Sequence, residues 1–311
     1  MISCTEFIPA YSTLFTYLEQ ISGPEAVPAY WSENFDYTKS SLYRLVAAEG
    51  IKGCYSYWSI TLNEEAADFS MYLDEKRGYY LLDMHHCPSK GRLLKLREDV
   101  GVEPYHGYCL HCDYYRAAIE ACGLKYLFNV AGAERASCSI LVYDPEIFDG
   151  RVIVDENTTV MHRTAEDNEY LHRSFHGSMN KGIAYLSENW GEKAVREYLK
   201  IFADTVYKPV SEAAKEKGLV AIEEKILDTY AKEHATDAVH TTLTDDSLTV
   251  EVSYCPAEKF LKSRGISVSP YYYLSTEVVM DTVAKNAGYH FTMEHYDPAT
   301  GAAKYSFTKF A

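Results

Sequence analysis

The chain repeats itself at long range. Tyr17-Leu18 returns as Tyr185-Leu186 at an offset of 168 positions (185 − 17), Gly23 returns as Gly191, and Ala26-Val27 as Ala194-Val195. The same offset, followed without gaps, pairs Tyr30 with Tyr198, Gly50 with Gly218, Glu65 with Glu233, and Cys87-Pro88 with Cys255-Pro256. Further on the offset shortens: Val102-x-Pro104-Tyr105 answers Val268-x-Pro270-Tyr271 and Gly123 answers Gly288, as short loop deletions would produce. A solenoid repeat spans roughly 20–50 residues, so a period this long points to two similar domains, each with its own core. The boundary is expected near Asp149-Gly150, giving a Cys/His-rich repeat over 1–150 and a second repeat over 151–311.

Both copies carry the same local patterns. Residues 10–32 and 176–202 place apolar side chains at helical spacing, broken at Gly23 and Gly191, and read as helix, turn, helix. Helices over 40–49 and 208–217 end at Gly50 and Gly218, a residue favoured just past a helix C-terminus. Another helix follows near 51–66 and 219–234, after which the period shortens to two and predicts hairpins over Phe69–Met84 and Val239–Val252. A helix is expected at each Cys-Pro, another over roughly 110–122 or 276–287, and two strands close each copy. The class is α+β: two tandem duplicated domains, each an antiparallel sheet covered by helices.

The chain has 311 residues, with 45 acidic against 30 basic side chains and a net charge of −15. Such a charge repels nucleic-acid phosphates and anionic lipid heads, and no dense basic run offsets it. Neither partner is expected. No stretch of 18 apolar residues suggests a membrane span, and the N-terminus has no basic head with an apolar core, so the expected setting is the cytosol. The eight cysteines are then expected as thiols or ligands rather than disulfides. The pattern carries no signal of oligomeric state.

A duplicated fold supplies its own control, because folding demands what both copies share and not what one copy alone holds. Cys87 and Cys255 are shared, each at the start of a Pro-led helix, where the helix dipole lowers a thiol pKa. His85-His86-Cys87 becomes Ser253-Tyr254-Cys255 in the second copy, and Cys109-Leu110-His111-Cys112-Asp113 becomes Ser275-Thr276-Glu277-Val278-Val279. The titratable groups thus concentrate in the first copy, where His85, His86, Cys87, His106, Cys109, His111, Cys112 and Asp113 are candidates to converge.

Four chemistries suit that group. A thiolate among Cys87, Cys109 and Cys112 can act as nucleophile, with His86 or His111 moving protons and Asp113 orienting the imidazole or holding a cationic substrate. Zinc would take Cys109 and Cys112, two residues apart, with Cys87 and His86. A thioredoxin-like redox pair lacks the expected βαβ surroundings, and inert buried thiols are the plainest alternative. A second group, Glu169, His172 and His176, would share one face of a helix and could bind a divalent metal or act as base and orienter; two ordinary histidines on a solvated helix are its plain alternative. The offset sets His172 and His176 against Cys4 and Ile8, so folding does not require imidazoles there. No Gly-rich phosphate loop, Gly-x-Ser-x-Gly or His-Glu-x-x-His occurs.

The block Met161-His162-Arg163 through Asp167-Asn168-Glu169-Tyr170-Leu171-His172-Arg173-Ser174-Phe175-His176-Gly177, with Cys255-Pro256 and a closing strand pair around Gly301, resembles the L-2-amino-thiazoline-4-carboxylic acid hydrolase-like family, mainly over residues 151–311. The first copy, through His86-Cys87-Pro88-Ser89 and Tyr108-Cys109-x-His111-Cys112-Asp113, looks like the N-terminal part of longer relatives. Where this chain has Ser174, the family pattern often has an acidic residue. The resemblance implies hydrolytic opening of a cyclic isothiourea. More distantly, each copy looks like the vinyl-4-reductase and Golgi-transport ligand-binding fold, which often encloses an apolar ligand. The expectation is therefore a hydrolase of a small C–N bond in an isothiourea, amidine or amide, using a thiolate or a metal-activated water, with a small-molecule substrate and Zn2+ as the possible cofactor. The alternative is a non-enzymatic protein that binds a small ligand or a metal in an apolar pocket.

Overall fold

The computed structural model describes residues 1–64, 67–164 and 172–310. The described residues form an α+β protein with two antiparallel sheets, one of five strands and one of four. None of their helices is long and apolar enough to cross a membrane.

Packing divides the chain into two units. One comprises Leu18–Lys95 and Glu103–Tyr170; the other comprises Met1–Tyr17, Leu96–Val102 and Leu171–Ala311. A single cut near residue 150 does not follow these units, and the expected boundary is corrected on both sides. Residues 151–164 stay with the first unit, because β5 (Thr159–Arg163) pairs antiparallel with β1 (Asp68–Asp74) and covers an edge that would otherwise expose unpaired backbone. The first 17 residues belong to the unit built from the second half.

In the five-stranded unit, β1 and β2 (Tyr79–His86) form the expected hairpin, and β3 (Lys125–Asn129) and β4 (Cys138–Tyr143) complete the order β3-β4-β2-β1-β5. Alternation along β1 sends Phe69, Met71 and Leu73 to one face, where Leu42 and Val46 of α3 (Ser41–Glu49), Cys54 and Trp58 of α4 (Lys52–Glu64) and Ile119 of α6 (Tyr115–Glu120) join them in one core. The Trp58 indole stacks on the Tyr80 ring with centroids 5.5 Å apart and planes 7° from parallel. Along the chain, α1 (Phe7–Ser22), whose residues up to Tyr17 belong to the other unit, and α2 (Ala26–Asn34) flank Gly23, and α5 (Pro88–Val100), which passes to the other unit at Leu96, follows Cys87.

The four-stranded unit carries the same sequence of elements. α7 (Phe175–Val206) is kinked at Gly191, whose φ of 79° is freely open only to glycine. After it come α8 (Lys208–Lys217), α9 (Leu219–Lys232), the hairpin β6 (Val239–Leu243) and β7 (Ser247–Val252), α10 (Pro256–Ser263), α11 (Leu274–Ala287), and the pair β8 (Tyr289–Asp297) and β9 (Ala302–Lys309). The strand order β6-β7-β9-β8 matches β1-β2-β4-β3 of the other sheet position for position, and among the described residues β5 has no counterpart.

One expected helix differs between the halves. Where the second half forms the 14-residue α11, the first forms a 3-10 segment over Tyr108–Tyr114 and then the short α6. Within that 3-10 segment the His111 imidazole bonds to the Tyr108 carbonyl, a side-chain contact on a backbone acceptor.

Candidate functional site

In the five-stranded unit, titratable groups gather where β2 meets α5. The Cys87 amide donates to the Ala136 carbonyl at 2.6 Å and the Cys87 carbonyl accepts from Gly91 N at 2.8 Å, which sets the residue at the helix start. Cys255 repeats the arrangement with Thr300 and Lys259. The expected depression of a thiol pKa at such a start is reversed at Cys255, where burial pushes the thiol up to about 11. Burial, with the neighbouring Cys112, likewise pushes Cys109 up to about 11 against the opposing charge of Lys90.

All eight cysteines are free thiols. Cys87, Cys109 and Cys112 each act electrostatically on Cys138, whose thiol burial and these neighbours push well up. Three of the predicted residues therefore share an electrostatic neighbour, Cys138, a cysteine that sequence reasoning left out. His111 joins them through Cys112: its Nε2 lies 3.5 Å from Cys112 Sγ. Its Nδ1 lies 2.5 Å from the Tyr108 carbonyl oxygen. A carbonyl only accepts, so Nδ1 carries the proton, and Nε2 of the neutral ring is the acceptor facing sulfur. Trp31 and Tyr108 flank the imidazole with ring centroids at 6.5 and 5.0 Å.

Other predicted members are engaged elsewhere. Asp113 does not orient His111; its carboxylate is held by Arg116 at 2.6 and 3.3 Å. His86 lays its ring along Gly91, where an added Cβ would fall 2.1 Å from Nε2. With His86 so placed, the expected zinc set of Cys87, Cys109, Cys112 and His86 does not close: no three of their ligand atoms come within 4.8 Å of one another. His85 meets Asp68 Oδ1 at 3.2 Å and Ser70 Oγ at 3.3 Å, and Ser70 Oγ in turn meets His162 Nδ1 at 2.7 Å. His106 is exposed, 3.9 Å from Glu19.

The four-stranded unit encloses a different group. Among the described residues, Cys4, His176 and Glu233 bring ligand atoms within 4.8 Å of one another, and all three are buried. His176 Nε2 lies 3.0 Å from Glu233 Oε2, while the Cys4 amide donates to Glu233 Oε1 at 2.6 Å. Burial would raise the Glu233 carboxyl, but His176 and the Cys4 amide outweigh it and hold the pKa below its ordinary value. Burial and the adjacent Glu233 push the Cys4 thiol up to about 12.

Tyr272 connects this group to a small cavity. Its hydroxyl lies 3.5 Å from His176 Nδ1, and its ring lines the cavity beside Tyr230, Tyr296, Tyr305, Cys255 and Glu258. The space, about 20 Å³, holds roughly one water. Glu258 is buried there, accepting from Tyr296 at 2.7 Å and from Lys262 at 3.0 Å.

Of the described members of the second predicted group, His172 and His176, only His176 enters this site. His172 precedes α7, so helical spacing does not align it with His176; it meets Ser174 Oγ at 2.5 Å and lies against the Phe175 ring. Glu169 lies outside the described residues. Cys4 and Glu233 were missed as site residues: the 168-residue offset pairs Glu233 with Glu65, a match that read as a demand of the fold, and Cys4 stands apart from any motif. Comparison of the chain with protein-family models, with curated proteins and with solved structures found no match.

Proposed function

We propose that the five-stranded unit hydrolyses a small C–N bond of isothiourea, amidine or amide type, with Cys112 as nucleophile and His111 as its base. The observation that carries this reading is the fixed tautomer of His111: its protonated Nδ1 is spent on the Tyr108 carbonyl, so Nε2 is available to the Cys112 thiol 3.5 Å away. That geometry is the nucleophile–base pair of thiol catalysis.

In the reaction, Nε2 takes the Sγ proton as sulfur bonds to the electrophilic carbon. The imidazolium then returns the proton to the departing nitrogen as the C–N bond breaks. Water, deprotonated by the same nitrogen, attacks the sulfur-bound carbon and releases free Cys112. Trp31 and Tyr108 supply apolar walls, and Cys109 beside Lys90 forms the polar side. The substrate class rests on the resemblance of residues 161–177 and Cys255-Pro256.

The matching strand orders support a duplicated module, one copy of which retained few thiols. The free cysteines suit a reducing, cytosolic setting.

The test is turnover of 2-aminothiazoline-4-carboxylate and a panel of amidines and amides. Cys112→Ser is expected to abolish hydrolysis and His111→Gln to slow it about 10²–10⁴-fold. Full activity in Cys112→Ser, with Cys109→Ser inactive, would move the nucleophile; activity in both would end the thiol reading.

A further inference from the structure

We propose that Cys4, His176 and Glu233 form a binding site for one divalent transition-metal ion of the zinc class. This site lies within the four-stranded unit and is independent of the Cys112–His111 chemistry.

The donor set is the first argument. One thiol, one imidazole and one carboxylate are the three side-chain types that bind zinc, and here each comes from a separate element: the 3-10 turn Cys4–Glu6, the first turn of α7 and the residue after α9. Donors on a single tetrahedral ion at about 2.0–2.3 Å stand roughly 3.3–3.8 Å apart. The donor atoms here already lie within 4.8 Å of one another, with His176 Nε2 and Glu233 Oε2 at 3.0 Å, so entry of an ion asks for small side-chain movements only.

The surroundings hold these donors in a ligating pose. Metal-bound histidines usually engage their second ring nitrogen with a hydrogen-bond partner, which fixes ring orientation. At His176 that partner is the Tyr272 hydroxyl on Nδ1, which leaves Nε2 pointing at the carboxylate. Glu233 Oε1 is pinned by the Cys4 amide and Oε2 is the oxygen turned toward the imidazole. The carboxylate is thus set for monodentate binding.

Charge and sequence supply the remaining arguments. A thiolate and a carboxylate sum to −2, so a divalent ion makes the buried group neutral, whereas closely packed buried ionisable groups without one are costly. Packing does not call for an imidazole: the residue 168 positions before His176 is Ile8, an apolar side chain that is itself buried. Three protein donors leave one tetrahedral position for water or a small ligand, the coordination of a catalytic rather than a closed structural zinc site. Tyr272, whose hydroxyl meets His176 Nδ1, also lines the one-water cavity.

The experiment uses the full chain, stripped with chelator and titrated with Zn2+ and Co2+. Expected results are one ion per chain and, with Co2+, a thiolate-to-metal charge-transfer band of tetrahedral intensity. Cys4→Ser, the nearest isostere, is expected to weaken binding at least 100-fold and erase the band while circular dichroism stays unchanged. Tyr272→Phe is expected to weaken binding about tenfold. The triple variant Cys87→Ser, Cys109→Ser, Cys112→Ser is expected to keep both the ion and the band. Should Cys4→Ser unfold, Glu233→Gln provides the second reading, and Zn2+ should then raise the thermal midpoint of the unaltered protein but not of Glu233→Gln. Failure of the unaltered chain to bind an ion overturns the proposal, as does a thiolate band lost in the triple variant and kept in Cys4→Ser.

Discussion

Replacing Glu6 by Gln tests how firmly the first residues are fastened to their unit. Glu6 ends the N-terminal 3-10 turn, and its carboxylate takes the Lys225 ammonium of α9 on Oε1 and the Tyr207 hydroxyl on Oε2 at 2.8 Å. Burial alone would raise its pKa; the lysine charge and the hydrogen bonds outweigh that and lower it from 4.5 to about 2. At about 1.4 kcal/mol per pH unit, the difference is worth about 3 kcal/mol at neutral pH. The folded-state pKa is the lower one, so this stability is complete above pH 4.5 and disappears as pH falls through about 2. At pH 3 linkage leaves about 1 kcal/mol. Urea unfolding followed by circular dichroism should therefore show Glu6→Gln about 3 kcal/mol weaker at pH 7, with the gap to the unaltered protein closing on acidification. A gap that is absent at pH 7, or that widens toward pH 3, would refute the account of this ion pair.

Two glycine and core positions give further tests. Gly301 has a φ of +72°, and an added Cβ would stand 2.5 Å from Cys255 Cβ and 2.8 Å from Glu258 Oε1; Gly301→Ala should cost about 2–4 kcal/mol, read as a fall in the thermal midpoint. Trp58 is buried against Tyr80, so Trp58→Ala should cost about 3–5 kcal/mol in urea unfolding, and a loss under about 1 kcal/mol would contradict the packing described for α4.

Much of the fold was legible because it depends on residues a few positions apart. The hairpins around 75–78 and 244–246, the helix ends at Gly50 and Gly218, and the helix starts after Cys87 and Cys255 all follow from local periodicity and backbone preference. The sequence reads α-helix from about residue 110, where the structure has a 3-10 segment at Tyr108–Tyr114, since apolar spacing does not separate one helix type from the other over so few residues. The thiol group was legible as a density of cysteines in the first half of the chain; the place of Cys138 beside them and the loss of Asp113 to Arg116 were not, because each depends on which strand or helix face turns toward which neighbour.

The sequence alone determined the α+β class, the order of elements and the repeated pattern at an offset of 168, since periodicity, turn residues and internal similarity are written along the chain. Only the tertiary structure decided that residues 1–17 join the later half, that His176 meets a glutamate 57 positions away, and that Cys4 completes that group. The physical reason is that buried polar contacts form between segments that packing brings together, and no local pattern records a partner that far along the chain.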